Sequence, residues 1–221
     1  MSITAVTFDA YGTLVRNDDL ILIPKRIVAD HGLRVSVEDV YRLWSDLYYA
    51  ATQRSPFRTL RDIEHEVCGQ LLQTFDVTAD PAPYVDLFFE LTTKVELYPE
   101  ARDVLTALHP VPSAIISNAD HEHIAAWNFT LPVQFILCSE AVCSYKPNGF
   151  VFQRALEQLG RRPEEVLHVG DSDVDDVKGA KAAGMKVAWV NRQGRRLRHD
   201  VPRPDFEIRD LTELPMLVAG D

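Results

Sequence analysis

The run Ile3-Thr4-Ala5-Val6-Thr7-Phe8-Asp9-Ala10-Tyr11-Gly12-Thr13-Leu14 sets an apolar, β-branched stretch directly ahead of a lone carboxylate and a turn of small residues. Such a run predicts a buried strand over Ile3 to Phe8, ending where Asp9 and Gly12 supply turn chemistry. Three other segments share this character, Ser113 to Ile116, Val166 to Val169 and Lys186 to Val190, and Val133 to Leu137 makes a fifth. Helical patterns lie between them at Pro99 to Leu108, Phe150 to Leu159 and Asp176 to Ala183. In the second of these, Phe150, Val151, Ala155, Leu156 and Leu159 keep near a 3.6-residue period. Near-continuous apolar strands alternating with helices indicate a parallel sheet covered on both faces. The expected fold class is α/β, a doubly wound, Rossmann-like core.

The first gap between strands breaks the pattern, because roughly 90 residues fill it where a βαβ unit takes ~30. Helical periodicity runs through it: Ile23 to His31, Ser36 to Thr52, Leu60 to Thr74 and Tyr84 to Thr93, with Ser36 and Asp39 reading as a cap and a first-turn acid. The expected organisation is a core over residues 1–14 and 95–221 with an α-helical cap inserted over residues 15–94. An insert at the tip of a strand can act as a lid. It would also carry substrate choice, with Trp44, Tyr48, Tyr49 and Phe57 as candidate lining residues.

The composition narrows the function classes. With 221 residues, 46% hydrophobic and 25% charged, the chain can bury a substantial core without staples. A formal net charge of -10 opposes attraction to phosphate backbones or anionic membranes, so neither nucleic acid nor membrane is an expected partner. No apolar stretch reaches the roughly 18 residues of a membrane span, and the expected location is the cytoplasm. Cys68, Cys138 and Cys143 lack the spacing of a disulfide framework or zinc site and read as structural thiols. The Arg-rich segment Arg192 to His199 is a strong local charge bias and reads as a solvated loop.

Ligands of open α/β sheets collect at the carboxyl ends of the strands. There the sequence places Asp9, then Ser117-Asn118, then Lys146 in "CSYKPNGFVF", then "GDSDVDD" with Asp171, Asp173, Asp175 and Asp176. Any one of these is ordinary loop or cap chemistry, but their succession on consecutive strand ends points to a site. Asp9 can attack as a nucleophile, Ser117 offers a hydroxyl, and Lys146 a fixed positive charge. Two carboxylates brought together repel unless a cation or proton intervenes, and a hard ion such as Mg2+ takes oxygen ligands.

These motifs resemble the haloacid dehalogenase superfamily, in the subfamily with a helical cap after motif one. "FDAYGTL" stands as motif one, "SN" as motif two, "YKP" as motif three and "GDSDVDD" as motif four, while "WVNRQG" and "PDFEIRDLTELP" resemble the closing strand and helix. The resemblance implies that Asp9 is the nucleophile, that Ser117 binds the transferred group and that Lys146 orients Asp9. It also implies that Thr13 and Asn118 support the turns. Mg2+ would be held by Asp9, Asp171, Asp176 and the backbone carbonyl of Tyr11. Phosphatases of this superfamily usually carry an Asp where Tyr11 stands, to protonate the leaving group. Its 2-haloacid dehalogenases carry Tyr there, since a departing halide needs no proton, and they work without metal. They also carry a Ser/Asn-rich motif four, and a Tyr at the position of Phe152.

The sequence reading is a Mg2+-dependent phosphatase of a small phosphorylated metabolite acting through an aspartyl-phosphate at Asp9. A metal-independent L-2-haloacid dehalogenase and a noncatalytic binding protein stand as alternatives. Arg26 and Arg42 in the insert are weak candidates for gripping a haloacid carboxylate, and His121 and His123 read as exposed residues at a helix start.

Overall fold

The computed structural model describes residues 2–219. Six parallel strands form one sheet: β1 (Ala5–Phe8), β2 (Ser113–Ser117), β3 (Ile136–Cys138), β4 (Val166–Gly170), β5 (Lys186–Val190) and β6 (Phe206–Ile208). Their order is β3-β2-β1-β4-β5-β6, a doubly wound α/β sheet of Rossmann type. Every residue of β1, β2 and β4 is buried, which is why these strands read as unbroken apolar runs instead of alternating ones. The winding reverses between β1 and β4, so the residues just beyond Phe8 and Gly170 flank the crevice where such sheets bind ligands. The ladder continues one step past β1, where the Asp9 amide donates to the Val169 carbonyl at 2.8 Å.

Several boundaries differ from the sequence expectation. The first strand starts at Ala5, which pairs with Val166 at the start of β4. The β3 edge strand spans Ile136–Cys138 instead of Val133 to Leu137, paired with Ile115 to Ser117 of β2. Past β4 the backbone makes a π-helical turn over Asp173–Lys178 before a short helix at Gly179–Ala182, and it starts earlier than Asp176 because Ser172 caps it, accepting from the Asp175 amide at 3.0 Å. The helix expected from Pro99 is confined to Ala101–Ala107.

The chain clusters into two compact units, one of Met1–Arg16, Glu96–Ala119 and Asn128–Asp221, the other of Asn17–Val95 and Asp120–Trp127. In the second unit, α1 (Leu22–His31), α2 (Val37–Thr52), α3 (Leu60–Thr74) and α4 (Ala82–Thr93) enclose a core of their own. Ser36 caps α2 and Thr59 caps α3, each accepting from an amide three residues on. Trp44 is buried in this core within 6.2 Å of the Phe88 ring, and its indole N–H donates to the fully buried Glu64 at 3.0 Å.

Asp120 accepts the first amide of α3, that of Leu60, on both carboxylate oxygens at 3.0 and 2.8 Å. His123 is buried against Phe89, with ring centroids 4.8 Å apart. That corrects the expectation of an exposed helix start, since residues 120–127 pack into the helical unit's core; His121 is exposed as expected. Arg26 and Arg42 lie on exposed helix faces, paired with Asp30 and Asp39. Cys68 and Cys138 are buried, whereas Cys143 is exposed and does not belong to any core. Among the described residues no helix is long and apolar enough to cross a membrane.

Candidate active site

The strand ends of the sheet-bearing unit bring Asp9, Ser117, Asn118, Lys146, Asp171 and Asp176 into one cluster. Lys146 is its hub. Its side chain is 2% exposed, and its ammonium donates to Asp9 Oδ1 at 2.6 Å and to Asp176 Oδ1 at 2.7 Å. Burial opposes the charge, but the two carboxylates outweigh it and push the lysine pKa upward. Asn118 fixes the hub from the neighbouring strand end: its Oδ1 accepts the Lys146 amide at 2.8 Å and its Nδ2 donates to the Lys146 carbonyl at 3.2 Å. Asn118 therefore positions Lys146.

Asp176 is fully saturated. Besides Lys146, its Oδ1 meets His168 Nε2 at 3.0 Å, and its Oδ2 accepts the Ser172 amide at 3.0 Å. Burial works against its charge, yet Lys146 and His168 hold its carboxyl below the usual range. Gly170 makes the approach possible, because a Cβ there would stand 2.2 Å from Asp176 Cγ.

His168 continues the chain to Thr7, whose hydroxyl lies 2.9 Å from Nδ1. With Asp176 ionised, His168 carries its proton on Nε2 and accepts from Thr7 at Nδ1. A line of polar groups thus runs Thr7, His168, Asp176, Lys146, Asp9. Neither Thr7 nor His168 was singled out from sequence. The available signal was a polar residue at register-matched positions of two otherwise apolar strands, since Thr7 and His168 are direct ladder partners. Phe152, standing where the dehalogenases carry Tyr, packs edge-on against His168 with centroids 5.2 Å apart.

Other polar atoms lack protein partners. Asp9 Oδ2, Ser117 Oγ and Thr13 Oγ1 are buried with no hydrogen-bond partner among the described residues. Buried polar groups are otherwise nearly always paired, so Asp9 Oδ2 and Ser117 Oγ, at the ends of the neighbouring strands β1 and β2, are candidates to meet a polar ligand. Burial, partly offset by Lys146, raises Asp9 to about 6, leaving it largely a carboxylate at neutral pH. Asp171 sits across from the Asp9 loop: a Cβ on Gly12, whose φ is 93°, would come within 2.6 Å of Asp171 Cγ. Burial and the proximity of Asp9 and Asp176 push Asp171 well above the usual carboxylate range.

Oxygens of Asp9, Asp171 and Asp176 lie within 4.8 Å of one another, a donor set suited to a hard divalent ion. The unpartnered Asp9 Oδ2 and the mutual repulsion of Asp9 and Asp171 both fit such an ion. Asp176 fits it less well, because its oxygens are already committed to Lys146, His168 and Ser172. Tyr11 is half-buried in the turn after Asp9, bridged to Val15.

The arginine-rich segment is not a solvated loop at its near end. Arg192 donates to the Thr13 carbonyl at 3.0 Å, and Arg195 donates to the Asp171 carbonyl at 2.9 Å, where Trp189 Nε1 also donates at 2.9 Å. Arg198 pairs with Asp173 at 3.4 Å. The segment is drawn down because β5 ends beside the acidic turn, whose carbonyls and carboxylates need donors.

The profile of the haloacid dehalogenase-like hydrolases matches residues 3–184. The chain belongs to that family. Among haloacid dehalogenase-like relatives, it is 26% identical over 229 residues to (S)-2-haloacid dehalogenase 1 of Pseudomonas sp. (strain CBS-3), covering 98% of this chain and 96% of the relative. It is 31% identical over 135 residues to the phosphoserine phosphatase of Thermus thermophilus, covering 58% and 54%. The solved L-2-haloacid dehalogenase of Xanthobacter autotrophicus superposes with a TM-score of 0.81 at 26% identity over 99% of each chain. Its haloacid dehalogenase-like relatives thus include enzymes named for both chemistries.

Proposed function

We propose that this protein is a Mg2+-dependent phosphohydrolase that acts on a small phosphorylated metabolite through a covalent intermediate on Asp9. The observation that carries this reading is the placement of Asp171 beside an Asp9 whose Oδ2 has no partner. Dehalogenation has no use for a second, half-buried carboxylate there, whereas phosphoryl transfer does. Asp9 and Asp171 would hold the ion, with the Tyr11 carbonyl as a further ligand and Asp176 anchoring the shell through Lys146. Bound there, Mg2+ would offset the negative charge of the carboxylates and of the substrate phosphate.

The chain's own residues perform the rest. Lys146 holds Asp9 by Oδ1, which leaves Oδ2 to attack phosphorus. The new Asp9–phosphorus bond forms as the phosphorus–oxygen bond to the leaving group breaks, with the electron pair departing on that oxygen. Ser117 Oγ donates to a phosphoryl oxygen, and Lys146 offsets negative charge on Asp9 and the phosphoryl group. Water then attacks phosphorus, releasing inorganic phosphate and restoring the Asp9 carboxylate. With Tyr11 in place of an acidic side chain, no carboxyl protonates the departing oxygen. The favoured substrates are therefore those with good leaving groups, acyl or aryl phosphates.

A second reading is favoured by Tyr11 itself and by the full-length relatives named as haloacid dehalogenases. Asp9 would displace halide from carbon, and water would cleave the resulting ester. Hydrolysis of p-nitrophenyl phosphate by metal-stripped protein separates the two. Activity is expected only with added Mg2+ and is expected to vanish in Asp9→Asn. Halide release from 2-haloacids without metal would establish the second reading, and folded protein that binds ligands of either kind without turnover would indicate a binding role.

A further inference from the structure

We infer that Arg192 is a positioning residue that locks the Asp9 loop against the return strand of the chain, an assignment that rests on Asp9 being the nucleophile. Arg192 lies just past β5 and is only 21% exposed. Its guanidinium is engaged through Nε, Nη2 and its flat face. Nη2 donates to the Thr13 carbonyl at 3.0 Å, and Nε approaches the Gly12 carbonyl at 3.4 Å. Nη2 also pairs with Glu100 Oε1 at 2.8 Å, while the flat face lies 3.6 Å from the centroid of the Tyr98 ring.

These partners belong to two separate stretches that are themselves joined. The outgoing stretch after Asp9 and the returning stretch before Ala101 form a short antiparallel ribbon. In it the Tyr98 amide donates to the Leu14 carbonyl, the Arg16 amide donates to the Glu96 carbonyl, each at 2.9 Å, and Val15 bridges Leu97. Arg192 grips the outgoing stretch through two successive carbonyls and the returning one through a ring face and a carboxylate. The same turn holds Gly12 against Asp171, so a shift of the ribbon moves both the aim of Asp9 and its distance from Asp171.

Only arginine meets this demand. Its planar fork donates in several directions in one plane while its face stacks on an aromatic ring; a lysine ammonium supplies the charge without the fork or the stacking. The side chain touches no reacting atom. Its effect is carried by the geometry of the Asp9 turn, where a displacement of about 1 Å can cost on the order of 100-fold in rate.

The test compares Arg192→Lys and Arg192→Met with the parent protein in p-nitrophenyl phosphate turnover, thermal melting and amide hydrogen exchange. The expectation is a fall in kcat of about tenfold or more in both variants, with KM held within about threefold. Exchange should quicken in the segments around residues 10–16 and 96–100 and stay unchanged in β6. Parent-like kcat and exchange in Arg192→Lys would overturn the assignment, as would a loss seen mainly in KM, which would make Arg192 a substrate-binding group. Should the parent turn over neither a phosphate ester nor a 2-haloacid, the reaction reading fails by itself, and exchange alone then decides. Faster exchange confined to the ribbon and Asp9 turn upholds the lock, and unchanged exchange removes it.

Discussion

His168 shows how much of this site depends on a residue with no reacting partner. It is fully buried between Thr7 and Asp176, and burial holds its pKa below the ordinary value, so the neutral ring can donate at one nitrogen and accept at the other. Replacing His168 by Phe removes a donor to Asp176 and strands the Thr7 hydroxyl. The expected cost is about 2 kcal/mol in urea unfolding, and Thr7→Val in the same background should recover part of it. A coupling energy of about 1 kcal/mol in the double-mutant cycle is expected, and strict additivity would mean the two side chains do not communicate. Asp9, Ser117 and Asp171 were legible in the sequence because each stands at the end of an apolar strand, where a polar side chain stands out. Thr7, His168 and Arg192 were not, because hydrogen bonds across neighbouring strands and loops leave no local spacing to read.

At the level of elements, β1 to β5 and the longer helices of the sheet-bearing unit followed from apolar runs and the 3.6-residue period, β6 followed only from the resemblance of the closing segment, and most errors gathered at ends. Some of those ends are set by partners distant in sequence, as β1 begins at Ala5 opposite Val166 of β4, and others by local caps, as Ser172 starts the turn after Gly170. The start of α3 illustrates the same physics. Thr59 is a local cap that sequence reveals, but the Leu60 amide is satisfied by Asp120, sixty residues on, which only the fold reveals. Asp120→Ala should therefore cost about 1 kcal/mol or more, as N-cap removals do, and hydrogen exchange should speed up in the first turn of α3. An unchanged first turn would show that Thr59 suffices.

At the scale of the whole molecule, stability carries a pH signature to which Glu64, a carboxyl buried in the helical unit, contributes. Burial raises it to about 8 against a model-peptide value of 4.5, despite the hydrogen bonds from Trp44 and Cys68. The folded protein keeps this proton where the unfolded chain has released it. The stabilising contribution is thus fully present below pH 4.5 and is lost as pH rises through about 8. Glu64→Gln should flatten that decline and leave the protein more stable than the parent at pH 8, as read by urea midpoints; an unchanged slope would place the titration elsewhere. The central claim concerns Asp9 and phosphorus, and a single measurement reaches it most directly: turnover of p-nitrophenyl phosphate with Mg2+ in 18O-labelled water, followed by mass spectrometry of the phosphate and of the Asp9 peptide. Attack of water on phosphorus predicts label in the released phosphate and none in Asp9. Label entering the Asp9 carboxylate, above all during turnover of a 2-haloacid, would mean that water attacks an ester carbon there, and would contradict the phosphohydrolase account.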